Sequence, residues 1–370
     1  MRTFNFILLI FLLFTLNACN NNSSELKIGC ITILSGEVST YGKESKQGLD
    51  MAIEEVNNSG VLGEKKIEVI YEDSKMDARV GTEAITKLIN IDKVPLIVGA
   101  FSSSVMMAIA PIAEKNKVVL ISASATADAI KDAGDYIFRI VPPNKVQGRT
   151  AAKFAINKLK LYNAVIYSVN NEYGISLANE FEKAFTSLQG KVLYRDSFNP
   201  GQKDFRAALQ KIKELNPQVI FFPGQVIETG LILKQAREIG IKSVFIGGDG
   251  SYSPDLIKIA GDASENSYYT LTALGYGISD SLIVSFETKF KSKYGADPTV
   301  FSSYYYELGK IIGLVLSKAE YNSTSIKNEL YKIKDYKGIT GYTSFDKFGE
   351  VNKDYTIYVV KNGAFQINNN

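Results

Sequence analysis

The sequence predicts an α/β protein of two lobes, each a doubly wound parallel sheet, on three observations. Short apolar runs alternate with helical patterns along almost the whole chain. The runs are continuous rather than alternating apolar and polar, as expected of parallel strands covered by helices on both faces. The alternation breaks at Val141-Pro142-Pro143-Asn144 and then begins again, so the unit is present twice. Length agrees: of 370 residues, about 350 follow an apolar N-terminal stretch, more than one hydrophobic core usually spans.

Taken in order, Lys27–Leu34 is the first predicted strand. Gly42–Asn58 follows as a helix with Leu49, Ile53 and Val56 on one face, because residues three and four apart share a side of a helix. Strand Ile67–Tyr71, helix Arg79–Asn90, strand Pro95–Val98, helix Ser103–Lys115 and strand Val118–Ser122 complete the first series. The second opens with helix Gln147–Lys158, strand Ala164–Ser168, helix Gly174–Ser187 and strand Val192–Tyr194. Helices Phe205–Leu215, Glu228–Ile239 and Pro254–Ala260 then alternate with strands Val219–Pro223, Val244–Gly247 and Tyr268–Leu271. Helices Leu282–Tyr294 and Ser302–Ala319, a shorter one near Ile326–Ile333, and a hairpin from Tyr355–Val360 through the turn Lys361-Asn362-Gly363 finish the chain.

Composition narrows the function. The net charge is +3 with no charge block, so there is no basic field for nucleic acid. Histidine and tryptophan are both absent. Without histidine the commonest general base, the commonest zinc ligand and the usual partner of a serine nucleophile are missing. No acid pair or cysteine cluster stands at metal spacing, and Gly247-Gly248-Asp249-Gly250 lacks the spacing and the lysine of a phosphate loop. The expectation is binding rather than catalysis, with no cofactor and no metal.

The N-terminus predicts export. Arg2 supplies a positive charge, Phe6 to Phe14 is charge-free and apolar, and Leu16-Asn17-Ala18-Cys19 precedes the polar string Asn20–Ser24. The apolar run is too short to cross about 30 Å of hydrocarbon, and the layout is that of a secretory signal. It resembles the lipobox of bacterial lipoproteins, in which the cysteine thiol is acylated and becomes the first residue. The alternatives are an ordinary signal peptide with an incidental cysteine, or an uncleaved anchor. With Cys19 lipidated, Cys30 is the only free thiol and no internal disulfide forms; its apolar surroundings predict a buried strand cysteine.

Several short tracts share an order and spacing. They are Leu34-Ser35-Gly36 with Tyr41-Gly42 and Gly48, Ile97-Val98-Gly99-Ala100-Phe101-Ser102-Ser103-Ser104, Ser122-Ala123-Ser124-Ala125-Thr126, Glu172-Tyr173-Gly174, Lys203-Asp204-Phe205, Ala236-Arg237-Glu238-Ile239-Gly240 and Ile259-Ala260-Gly261. In register they resemble the type I solute-binding proteins of ABC importers, and among these the branched-chain amino acid (leucine/isoleucine/valine) binding proteins. The similarity runs from about Lys27 to the C-terminus.

The residues and the resemblance together nominate a site. Ser102-Ser103-Ser104 lies where a strand passes into a helix, so one serine can cap the helix while free N–H groups and the helix dipole attract an anion. The resemblance gives Ser103 to a ligand carboxylate. By position it gives Thr126 a bond to the amino acid head group and Ser124 a backbone carbonyl to the ammonium, although Thr126 can equally be the N-cap of the next helix. A glycine-flanked acid such as Asp249 is ordinarily a turn residue, but the resemblance makes it the acceptor of the ligand ammonium from the opposite lobe. Tyr41, Tyr173, Phe301 and Phe101 fall at cleft positions and would wall the side-chain pocket. Gln225 departs from the family, where an aromatic residue is common, and its amide puts strict aliphatic specificity in doubt.

The resemblance implies a three-strand hinge with crossings near Pro143, Thr272 and Thr343. The expected division is a signal peptide over 1–18, a flexible tether over 19–24, lobe one over 25–143 plus 273–343, and lobe two over 144–272 plus 344–370. The implied function is an extracytoplasmic, monomeric, lipid-anchored substrate-binding protein of a bacterial membrane, passing an amino acid or analogue to ABC permease subunits. The alternative is a ligand sensor on the same scaffold, signalling to a receptor or regulator.

Overall fold

Five strands make the first sheet, and its central members are apolar on both faces. In the computed structural model, which describes residues 25–272 and 280–368, they are β1 (Glu25–Thr32), β2 (Lys66–Asp73), β3 (Leu96–Val98), β4 (Val119–Ser122) and β5 (Ile137–Arg139). Their order is β2-β1-β3-β4-β5 and every pairing is parallel. Neighbouring residues of one strand enter different cores: Cys30, Val98 and Ile121 face one way, Ile31, Ile97 and Leu120 the other. Helices α2 (Ala78–Asn90) and α3 (Ser103–Asn116) cover the second face through Ile85, Leu88, Val105 and Ile109. The first is covered by α1 (Ser39–Asn58) and by a helix from much later in the chain, α10 (Val300–Leu316). These two lie backbone to backbone. A Cβ on Gly48 would stand 2.0 Å from the Ser302 carbonyl oxygen, so only glycine fits there.

The second sheet has seven strands in the order β14-β13-β10-β9-β8-β6-β7. They are β6 (Asn163–Val169), β7 (Lys191–Phe198), β8 (Val219–Phe221), β9 (Val244–Gly247), β10 (Tyr268–Thr272), β13 (Tyr355–Lys361) and β14 (Ala364–Ile367). The five members up to β10 are parallel, whereas β13 and β14 run antiparallel at one edge as the predicted C-terminal hairpin. Helices α4 (Asn144–Lys153) and α5 (Glu172–Ser187) pack one face with Ala152, Phe181 and Phe185; α6 (Arg206–Leu215), α7 (Val226–Glu238) and α8 (Pro254–Ala260) pack the other with Leu209, Leu233 and Leu256. Beyond β10 the chain returns to the first sheet with α9 (Ser281–Tyr294), α10, α11 (Ser323–Tyr331) and the two-stranded hairpin β11 (Tyr336–Gly338) and β12 (Gly341–Thr343). It crosses once more to reach β13. The chain thus passes between the sheets three times: after β5, after β10 and after β12. The predicted return near Thr272 falls at the end of β10, and residues 273–279, the leader over 1–18, Cys19 and the tether over 19–24 lie outside the described residues.

The structure differs from the sequence reading in a few elements. Strand β5 was not predicted, and neither was the hairpin β11–β12. The predicted helix Gln147–Lys158 starts at Asn144 and changes to a π-turn over Phe154–Lys158. The strand predicted over Val192–Tyr194 is eight residues long. Cys30 is buried in β1 as expected, and burial pushes its thiol pKa upward. Among the described residues no helix is long and apolar enough to cross a membrane.

Candidate functional site

In an open parallel sheet the loops at the C-terminal ends of the strands form a crevice, because helices cover both faces elsewhere. Here the crevices of the two sheets face one another across a narrow cavity with ≈ 40 Å³ of water-accessible space. From the first sheet come the start of α1 with Tyr41, the β2–α2 loop with Met76, the β3–α3 turn with Phe101 to Ser104, and Ser124 after β4. The second contributes Asn171 and Tyr173 after β6, Gln225 after β8, and Asp249 with Gly250 after β9; Phe301 of α10 completes the wall. Every nominated residue lines this cavity except Thr126.

The first-sheet side is an aromatic wall above a polar turn. Tyr41 stacks on Phe101 with ring centroids 5.3 Å apart, and Phe301 meets them edge-on and tilted at 5.2 and 4.9 Å. Below them Ser102 caps α3, its Oγ accepting from the Val105 N–H at 3.2 Å. Ser103 does something else. Its buried Oγ accepts from the N–H groups of Thr126 and Ala127, both at 3.1 Å, which leaves the hydroxyl proton to donate. Ser124 Oγ donates to the Phe101 carbonyl at 2.9 Å and lies 3.2 Å from the Tyr305 hydroxyl.

Thr126 is not the N-cap of the next element: a 3-10 turn over Asp128–Asp132 starts from Ala127 without a side-chain cap. Thr126 is buried, and its Oγ1 has no hydrogen-bond partner among the described residues. Its position behind Ser103, rather than beside the cavity, follows from its N–H reaching back to that serine. The sequence could not separate these two layers, since both tracts end adjacent strands.

On the second-sheet side lies the cavity's one acid among the described residues, with three donors on one oxygen. Asp249 Oδ1 accepts from the Tyr173 hydroxyl at 2.8 Å, Gln147 Nε2 at 2.9 Å and the Gly250 N–H at 3.0 Å. None of these bonds reaches Oδ2. Burial raises the Asp249 pKa above the ordinary carboxylate value, and the three donors oppose that shift. A desolvated carboxyl whose three named donors all meet Oδ1 can turn Oδ2 towards a cation. Gly248 lets the tyrosine approach, because a Cβ there would stand 2.3 Å from the Tyr173 hydroxyl oxygen.

The two sides touch directly. The Tyr41 hydroxyl donates to the Gly250 carbonyl at 2.6 Å and accepts from the Val226 N–H at 3.1 Å. The Glu172 N–H donates to Ser104 Oγ at 3.3 Å, and Gln225 Nε2 lies 3.5 Å from Met76 Sδ. Met76, Asn171 and Gln147 are not among the residues the sequence nominates. Asn171 had a local signal, preceding Glu172-Tyr173-Gly174 as the N-cap of α5, where its side chain accepts from Gly174 N–H. Met76 and Gln147 had none.

Two doubly wound lobes closed over one cavity define a two-lobed solute-binding protein. The chain matches the family model described as "Periplasmic binding protein" over residues 25–364, and so belongs to that family. It is 30% identical over 340 residues to the leucine-, isoleucine-, valine-, threonine- and alanine-binding protein of Pseudomonas aeruginosa, covering 91% of this chain and 90% of that protein. It is 27% identical over 344 residues to Leu/Ile/Val-binding protein homolog 1 of Brucella suis, covering 92% of each. Among solved structures, a leucine-binding protein LivK of Thermotoga maritima superposes with a TM-score of 0.88 at 29% identity, over 93% of this chain and 97% of that one. The branched-chain amino acid transporter substrate-binding protein LivJ of Streptococcus pneumoniae, in complex with isoleucine, gives 0.87 at 30% identity, over 92% and 98%. The fold is that of a type I periplasmic binding protein, its branch is the branched-chain amino acid one, and its role is extracytoplasmic binding rather than catalysis.

Proposed function

We propose that this protein is the lipid-anchored substrate-binding component of an ABC importer, taking an α-amino acid or close analogue into the cavity and presenting it to a membrane permease. Ser103 and the N-terminus of α3 receive the ligand carboxylate, Ser124 offers its carbonyl to the ammonium, and Thr126 supports this corner with a spare hydroxyl. Asp249 meets the ammonium through Oδ2. Tyr41, Phe101, Tyr173, Gln225 and Phe301 surround the side chain. Lobe one over 25–143 plus 273–343 and lobe two over 144–272 plus 344–370 close on the ligand, because only the closed state makes both sets of contacts. Cys19 carries the lipid, and the protein works as a monomer.

The observation that carries this reading is the opposition of one buried carboxyl, Asp249, to a donor-rich helix start at Ser103 across an aromatic cavity. That is the charge pattern of a zwitterion. The relatives that bind leucine and isoleucine support the ligand class. Isothermal titration calorimetry against the amino acids, their amides and their N-acetyl derivatives tests it. At least one free α-amino acid binds saturably and its N-acetyl derivative does not. Equal binding of the two refutes the role of Asp249.

A further inference from the structure

Arg139 at the end of β5 is completely buried, does not line the cavity and is not one of the residues the family resemblance nominated. Its guanidinium is gripped by Glu350, with Nε to Oε1 at 2.6 Å and Nη2 to Oε2 at 2.5 Å, the two-pronged geometry that suits arginine. Glu350 belongs to the third crossing between the sheets. There the turn from Asp346 to Glu350 is closed on itself, Asp346 Oδ1 accepting from the Phe348 and Glu350 N–H groups. The turn is docked on β5 by the Arg139 N–H, which donates to the Gly349 carbonyl at 3.0 Å.

The remaining nitrogen points at the site. Arg139 Nη1 donates to the carbonyls of Ala125 at 3.4 Å and Ala127 at 2.8 Å. A peptide group is planar, so fixing its carbonyl fixes the direction of the N–H at its other end. The N–H that shares a plane with the Ala125 carbonyl is that of Thr126, which donates to Ser103 Oγ. The N–H that shares a plane with the Ala127 carbonyl is that of Asp128. It donates to Ser176 Oγ of α5, in the other lobe, at 3.2 Å, and Ser176 returns a bond to Asp128 Oδ2 at 2.9 Å. One guanidinium therefore sets two peptide planes, one aimed at the cavity serine and the other at the opposite lobe.

We propose that Arg139, held by Glu350, is a positioning residue that orients the 125–128 turn for ligand binding and ties that orientation to the third interlobe crossing. If the crossing moves, Glu350 moves, and the two planes lose their common anchor. A second buried ion pair lies close by and serves as the comparison. Lys353 Nζ meets Glu307 Oε1 at 2.8 Å and Thr340 Oγ1 at 2.7 Å, also beside the third crossing, but bonds nothing in the 125–128 turn.

The test uses the mature protein in three forms: Glu350→Gln, the charge-free Arg139→Met/Glu350→Leu, and the comparison Glu307→Gln/Lys353→Met. Removing both partners avoids stranding a buried charge, so the double variants keep the experiment readable if Glu350→Gln folds poorly. Amide exchange by NMR in the absence of ligand is the primary readout and does not depend on the proposed ligand. Thr126 and Asp128 exchange about tenfold faster or more in the Arg139/Glu350 variants, beyond any global change, and not in the comparison variant. The affinity arm rests on the functional reading above: amino acid binding weakens about tenfold in the first two forms and is unchanged in the third, at comparable loss of thermal stability. Exchange at Thr126 and Asp128 that tracks global stability alike in all three forms overturns the proposal. If no amino acid binds even the wild type, the functional reading fails and exchange alone decides this one.

Discussion

The hydroxyl of Tyr41, on the first helix of lobe one, donates to the backbone carbonyl of Gly250 in lobe two at 2.6 Å. The same oxygen accepts from the Val226 N–H, so one phenol closes two backbone groups of the facing lobe. These bonds exist only when the lobes meet. Tyr41→Phe keeps the ring contacts with Phe101 and Phe301 but leaves both partners unpaired in the closed form. Closure then loses about 1–3 kcal/mol. Affinity falls by calorimetry, and small-angle scattering at subsaturating ligand gives a larger radius of gyration than wild type. Unaltered affinity would show that the phenol is not a latch.

Asp249→Ala is expected to cost about 2–5 kcal/mol of affinity, because a desolvated ammonium is left without its counter-charge. The pH dependence has a definite sign. In the empty protein burial raises the Asp249 pKa above the ordinary 3.8. The stability contributed by its neutral form is present below that ordinary value and is lost as pH rises through the raised one. Ligand binding runs the other way, since the ammonium needs the ionised carboxylate. Affinity rises with pH through the same window and is flat in Asp249→Asn. Calorimetry over the acidic range measures both.

On the proposed ligand reading, Gln225 is expected to set side-chain choice. Its amide nitrogen has the Met76 thioether, a weak acceptor, at 3.5 Å, and otherwise faces the cavity. Gln225→Leu removes the polar group and shifts preference towards aliphatic ligands by about fivefold or more relative to hydroxylated or amide ones. Competition titrations with leucine, threonine and glutamine read the shift.

Glu44 makes stability pH-dependent near neutrality. It lies on α1, accepts from Thr299 Oγ1 at 2.9 Å, and faces Asp255 of the other lobe. Burial pushes its pKa up from 4.5 to about 7, the Thr299 bond opposing and Asp255 adding to the rise. The contribution of the neutral form is complete below 4.5 and is lost as pH rises through about 7. Glu44→Gln should remove that fall, a difference of about 1–3 kcal/mol. Thermal melts across this range should show the wild-type midpoint dropping relative to the variant.

If Cys19 carries the proposed lipid, Cys19→Ala is expected to abolish acylation and to release the protein from the membrane or leave its leader uncleaved. Labelling of cells with a radioactive fatty acid reads this directly. Label retained in the variant would refute the assignment.

The sequence by itself carried the architecture, since continuous apolar strands and helical faces are local patterns that survive in any one-dimensional reading. Ile31, Ile97 and Leu120 turn to one core and Cys30, Val98 and Ile121 to the other because a strand reverses its side chains at each residue. The tracts ending at Ser103, Tyr173 and Asp249 were legible for the same reason, each being a short loop at the end of a strand. Strand β5 was not, because three residues between a turn and Val141-Pro142-Pro143 make no period. Only the tertiary structure decided which loops meet. Tyr41 and Gly250 are 209 residues apart and Arg139 and Glu350 are 211 apart. The same physics demoted Thr126 to a layer behind Ser103 and brought Gln147 from a helix face onto Asp249. A side chain's period tells which face it takes; the partner across that face is set by how two sheets close on each other, and no local pattern encodes that.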